Sequence, residues 1–290
     1  MLAGLTLLLG LALRVHRIGD HNVWWDEGFS IYLARLPLLP MAVRTAADVH
    51  PPLHYAFLHY WDRLVGESEY AVRYSSALFG LLDMALLFWL CRRYLGPIVA
   101  LTATLLLAVN RLHVEWSQEM RMYTLATALV LLSTACFLRL TAESDRRARW
   151  WLGHLALSVA GLHTIYLFGL APLCQSIAVL LGARRLGLSF VARWLLVQAA
   201  ALALFLPWTL LFLAQPRARP VLIYPIDLLT WLRAVYTALP IGISAYLDGW
   251  TAVTLGATAL FALPLALRRH GWLWLAGYAP LLLSPLILYG

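Results

Sequence analysis

From Trp150 to Ala183 the chain carries no formally charged side chain over 34 residues. Arginines close both ends, with Arg146, Arg147 and Arg149 before it and Arg184 and Arg185 after it. As one helix the run would measure about 51 Å at 1.5 Å per residue. That exceeds a hydrocarbon core about 30 Å thick and is just short of two spans of ~20 residues. Arginine-rich flanks stay on the cytoplasmic side, so an even number of crossings lies between them. Two spans with a turn near His163 to Gly169 satisfy both ends.

Further apolar runs make the whole chain polytopic. Spans are read at 1–16, 72–91, 97–113, 122–140, 150–166, 167–183, 194–213, 250–267 and 272–289, nine in all. Hydrophobic residues make up 62% of the 290 and charged residues only 12%, with a mean hydropathy of +0.76. Soluble domains hold about 45–50% apolar and about 25% charged residues. The reading is therefore an all-α membrane protein, one domain over 1–290. Arg14 arrives early in the first span, which suits an arginine snorkelling to the interface. A cleaved signal peptide fits less well, since no basic leader and no small-x-small site is present.

Charge orients the helices. Arg92, Arg93, Arg139, Arg146, Arg147, Arg149, Arg184, Arg185, Arg193, Arg268 and Arg269 fall on one side, against only Glu143 and Asp145. The other side holds eleven arginines and eleven acids. Positive-inside then places the loops 17–71, 114–121 and 214–249 outside. The +8 net charge does not imply nucleic-acid binding, because the arginines stand in short clusters between apolar runs. Lysine is absent, which reads as codon bias in a GC-rich genome. Cys91, Cys136 and Cys174 are scattered in or beside spans and read as small hydrophobes.

Polar chemistry concentrates on the outer side. Asp26 and Glu27 stand in WWDEGFS behind Trp24 and Trp25, a residue type that anchors at the membrane interface. The stretch after them, with Phe29, Ile31, Tyr32, Leu33 and Leu36 before Pro37, suits a helix lying in the interface. A second such helix follows Pro51 and Pro52, where Leu53, Phe57, Tyr60, Trp61 and Leu64 recur at helical spacing. Glu115, Glu119 and Arg121 crowd the short loop NRLHVEWSQEMRMYTL, with Tyr123 opening the next span. His50, with His54 one turn on and Asp48 nearby, allows a divalent metal site, although a neutral hydrogen-bonding histidine is the favoured reading. Asp83 lies half-way down the second span, where an acid is functional or paired. A transporter's proton relay and a polar contact to another helix, to Asn110 or to Gln198, both remain open for it.

In this order, WWDEGFS, HPPLHY, YAVRYSSALFG and SQEMRMYTL resemble polytopic glycosyltransferases of the GT-C superfamily. The likeness is to the protein O-mannosyltransferase and lipid A aminoarabinose transferase group (PMT-like, families 39 and 83), over roughly residues 10 to 140. It implies a polyprenyl-phosphate-sugar donor used on the exoplasmic face of a cell membrane, here a bacterial inner membrane. The acceptor would be a hydroxyl on protein, lipid or glycan, and transfer of a hexose or pentose would be inverting. Asp26 then matches the general base, Glu27 would orient it or the acceptor, and Glu119 matches the second acidic position. Arg121 and Arg73 would neutralise phosphate, with His50 and Tyr123 contacting substrate. Relatives run well beyond 290 residues, so this sequence is expected to lack C-terminal spans found in them, as a fragment or as a minimal version. A carrier or flippase of lipid-linked glycans, and a non-catalytic truncated relative, are the rival readings.

Overall fold

The computed structural model describes residues 1–46, 50–66 and 68–214, with Asp227 and Thr230 beyond them. The spans at 250–267 and 272–289, the loop residues Arg217, Arg219 and Tyr224, and Asp48 all lie outside the described residues. Those that are described fold into helices and turns, with no strand among them.

Among the described residues three helices are long and apolar enough to cross a membrane: α5 (Glu69–Tyr94), α8 (Tyr123–Thr141) and α12 (Leu188–Ala214). Their ends obey local chemistry. Ser68 caps α5 by accepting the Ala71 N–H, Glu69 follows in its first turn, and Arg92 and Arg93 occupy its last. This is the arrangement the helix dipole favours. The span expected at 97–113 is broken. α6 (Pro97–Val109) starts at Gly96 with φ 104° and Pro97 at its first position, and stops after 13 residues. Asn110 then caps α7 (Arg111–Ser117) by accepting the His113 N–H, and the two axes differ by 62°.

The uncharged run turns where expected, but its helices are short. α9 (Ala148–Leu162) has 15 residues and α10 (Leu170–Leu181) has 12, joined through a 3-10 turn at Tyr166–Gly169. Trp151 packs edge-on to Trp194 at the start of α12, whereas Tyr166 lies against Phe205 and Phe212 near its end. α9 and α12 therefore run parallel. α10 returns alongside α12, with Ser176 accepting from the Trp194 indole N–H. A core of Trp194, Trp151, Phe137, Phe190, Leu140 and Val179 fills that end of the bundle.

The same end collects the arginines. Glu143 accepts from Arg93 at 2.6 Å and from Arg139 at 2.8 Å, and the Arg146 guanidinium donates to the Leu186 carbonyl at 3.1 Å. The two arginine-bearing flanks of the uncharged run thus meet, as an even number of crossings requires. Side-chain hydrogen bonds from Arg93 and Tyr94 hold the Glu143 carboxyl down at about 2.

At the other end the first loop is built, not loose. It holds α2 (Trp25–Arg35), α3 (Leu38–Ala46) and α4 (Leu53–Val65). Two interfacial helices were expected and three are present, because Pro37 ends α2 and the chain resumes at once as α3. Leu36 is extended, as a residue before proline must be. Leu33, Met41 and Tyr55 form a small buried cluster joining the three. The Leu53 N–H donates to the His163 carbonyl at 2.9 Å, seating α4 on the turn after α9.

α1 (Leu2–Val15) departs most from expectation. Arg14 is wholly buried and does not snorkel. It donates to the carbonyls of Gly10, Leu107 and Ala108 and to the His113 ring. Asp83, also fully buried, accepts from His113 Nε2 at 3.1 Å. Neither suggested partner serves it: Asn110 caps α7, and Gln198 pairs with His154 at 3.0 Å.

Candidate active site

Asp26 and Glu27 sit in the first turn of α2, where backbone N–H groups and the helix dipole favour negative charge. Successive residues on a helix point about 100° apart. The pair therefore splits between two surroundings. Glu27 turns inward and its side chain is 0% exposed, while that of Asp26 is 37% exposed.

Glu27 accepts from Arg73 Nε at 2.9 Å and Nη2 at 2.6 Å, and from the Met120 N–H at 3.0 Å. Arg73 also donates to the carbonyls of Ile18, His21 and Asn22. A guanidinium has five N–H groups, and these five contacts occupy them all. The expectation that Arg73 neutralises phosphate therefore meets an arginine already saturated inside the protein. Likewise Glu27 is turned away from solvent and joins α2, α5 and the loop before α8.

That loop carries the rest. Arg121 is 3% exposed and approaches Asp26 Oδ2 to 3.6 Å, an ion-pair distance longer than a hydrogen bond. Its Nη1 reaches the Asp26 carbonyl and Ser30 Oγ, both at 3.4 Å, and its Nε has no hydrogen-bond partner among the described residues. Arg121 is thus held in place without being saturated. Glu119 is half-buried, with Oε2 shielded and without a hydrogen-bond partner among the described residues. Burial, then the neighbouring Glu27 charge, pushes its carboxyl up to about 7. Tyr123 opens α8 with its ring 4.0 Å from that of Trp116.

His50 precedes α4 and is half-buried. His54, fully buried, donates Nε2–H to the Met120 carbonyl at 3.3 Å. Burial drives its pKa down to about 3, so it is a neutral donor. No group of three His, Cys, Asp or Glu side chains suited to a metal occurs among the described residues.

The fold thus gathers Asp26, Glu27, Glu119, Arg73, Arg121 and Tyr123 at one end of the bundle, with His50 and His54 beside them. Sequence reasoning missed Ser30, which stands one helical turn past Asp26 and could have been found by that spacing. It also missed the Met120 N–H and carbonyl, which carry no side-chain signal.

The model of the dolichyl-phosphate-mannose-protein mannosyltransferase family matches residues 49–211. The chain belongs to this family. Its match to the mannosyltransferase model begins after Asp26 and Glu27, so tertiary packing is what brings that pair to Glu119 and Arg121. The S. cerevisiae protein O-mannosyltransferase Pmt1-Pmt2 complex, solved bound to the sugar donor, shares the fold with a TM-score of 0.53 and 17% identity. That likeness covers 73% of this chain and 32% of the yeast chain, so this member spans about a third of that relative's length. No curated protein matches it.

Proposed function

We propose that the protein transfers a sugar from a polyprenyl-phosphate donor to an acceptor hydroxyl, with Asp26 as general base. The observation that carries this reading is the division of labour between adjacent acids. Glu27 and Arg73 saturate each other underneath, leaving Asp26 open to solvent beside an unsaturated, buried Arg121.

An acceptor hydroxyl is a poor nucleophile because its pKa lies far above that of a carboxylate. Asp26 takes its proton as the oxygen bonds to the anomeric carbon, a contribution of about 10²–10⁴-fold. The bond from that carbon to the phosphate oxygen breaks with its electron pair leaving on polyprenyl phosphate. A phosphate leaves without acid assistance. Arg121 neutralises it, and the phosphate competes with Asp26 for the guanidinium, freeing the base as the donor arrives. Glu119 faces the sugar and answers the positive charge developing at the anomeric carbon. One displacement inverts that carbon. His50 and Tyr123 supply polar contacts to the substrate in this reading.

The arginine-rich end is assigned to the cytoplasm by the positive-inside rule, so the site opens on the exoplasmic face of the membrane in this reading, with a bacterial inner membrane as the proposed location. The family's description supports mannose as the sugar and the yeast relative's name supports a protein acceptor; lipid and glycan hydroxyls pose the same chemistry. Asp83, the residue on which a carrier reading would rest, is hydrogen-bonded to His113.

Membranes containing the protein, supplied with labelled polyprenyl-phosphate mannose, are expected to transfer label to an acceptor. Asp26→Asn should lower the rate by about 10²–10⁴-fold with normal insertion. Unaltered transfer by Asp26→Asn removes the assigned base.

A further inference from the structure

The interruption between α6 and α7 leaves polar backbone inside an apolar bundle, and one side chain answers it. The last four carbonyls of a helix have no partner within it. At the end of α6, Arg14 from α1 donates to Leu107 O at 3.1 Å and Ala108 O at 3.2 Å, and also to Gly10 O at 2.8 Å. A guanidinium there also meets the negative end of the helix dipole.

The charge does not end at the cap. Arg14 Nη2 lies 2.7 Å from His113 Nδ1, and an arginine N–H can only donate, so Nδ1 accepts. The other ring nitrogen then carries the hydrogen of the neutral imidazole and donates to Asp83 Oδ2 at 3.1 Å. Arg14 is balanced by Asp83 through a neutral histidine, which lies on α7 itself. Neighbouring residues make room for this. A methyl group at Gly80 would collide with Ser117 Oγ and come within 2.9 Å of Arg14 Nε, and one at Gly10 would collide with Met84. Beyond α7, Gln118 donates to the Leu13 and His16 carbonyls at the end of α1.

We infer that Arg14, His113 and Asp83 form a buried positioning relay that caps the interrupted α6 and holds the 62° turn into α7. It thereby fixes the Gln118–Met122 loop carrying Glu119 and Arg121. None of the three touches the reacting atoms. Their effect on sugar transfer rests on the function proposed above; their effect on the break does not.

Arg14→Met removes both cap and charge. Asp83→Asn removes only charge, because the amide oxygen still accepts from His113. The double variant Arg14→Met/Asp83→Asn restores neutrality but not the cap. The 290-residue chain in lipid nanodiscs is read in two ways, by hydrogen–deuterium exchange over residues 110–122 and by kcat and donor KM. For Arg14→Met and for the double variant, exchange over that stretch should rise at least tenfold with α8 to α12 unchanged. In both, kcat should fall at least tenfold while KM stays within about threefold. Asp83→Asn should stay within threefold on both readouts. The double variant should melt closer to wild type than Arg14→Met without recovering kcat. Wild-type exchange and kcat in the double variant would overturn the relay. An inactive parent chain would count against the proposed function alone, since exchange still decides whether Arg14 holds the break.

Discussion

At the scale of single residues, two neighbours of one chemical type receive opposite tasks from helical geometry alone. Asp26 and Glu27 diverge by about 100°, so Glu27 meets Arg73 and Asp26 meets solvent. Glu119 adds a measurable sign. Its folded pKa, about 7, is raised above the ordinary 4.5 by burial and by Glu27. The folded protein then binds more protons than the unfolded chain between those values. Glu119 therefore contributes its full stability below about pH 4.5 and loses it as pH rises through about 7. Melting temperature in detergent should show a decline from pH 5 to 8 that Glu119→Gln flattens. A variant that declines as steeply as the parent would place the titration elsewhere.

Between elements, the buried Glu27–Arg73 pair joins α2 to α5 and, through the Met120 N–H, to the loop before α8. Removing one partner of a buried pair leaves an uncompensated charge, at a cost of about 3–5 kcal/mol. Replacing both with apolar groups of similar size avoids that charge. Glu27→Leu and Arg73→Met should each lower thermal stability sharply, and the double variant should recover most of the loss. The recovered protein should still transfer sugar poorly, because the Met120 N–H and the carbonyls of Ile18, His21 and Asn22 lose their partners. Full transfer by the double variant would mean that the pair does not position the site. Hydropathy cannot see such a joint, since a saturated arginine and a substrate-binding arginine are one letter. It also cannot see the α6–α7 break, where Asn110 caps a new helix inside an otherwise apolar run.

For the whole molecule, the two ends of the bundle carry different chemistry and so test the orientation. A cysteine-free variant carrying Trp24→Cys should react with an impermeant maleimide added outside intact cells. The same background with Arg184→Cys should react only after the cells are opened. Reversal of that pattern would put Asp26 and Arg121 in the cytosol, away from an exoplasmic donor. The amino-acid order by itself determined the class, the turn inside the uncharged run, and the motifs whose residues meet at one end. Those are properties of hydropathy period and local chemistry, which a linear string carries. Only the tertiary structure decided which carboxylate is exposed, that Arg73 is saturated, and that Arg14 lies buried against Leu107, Ala108 and His113. Each of these depends on partners about 46 to 99 positions away along the chain. Such contacts become favourable only when packing removes water from both groups, and no local pattern records that event.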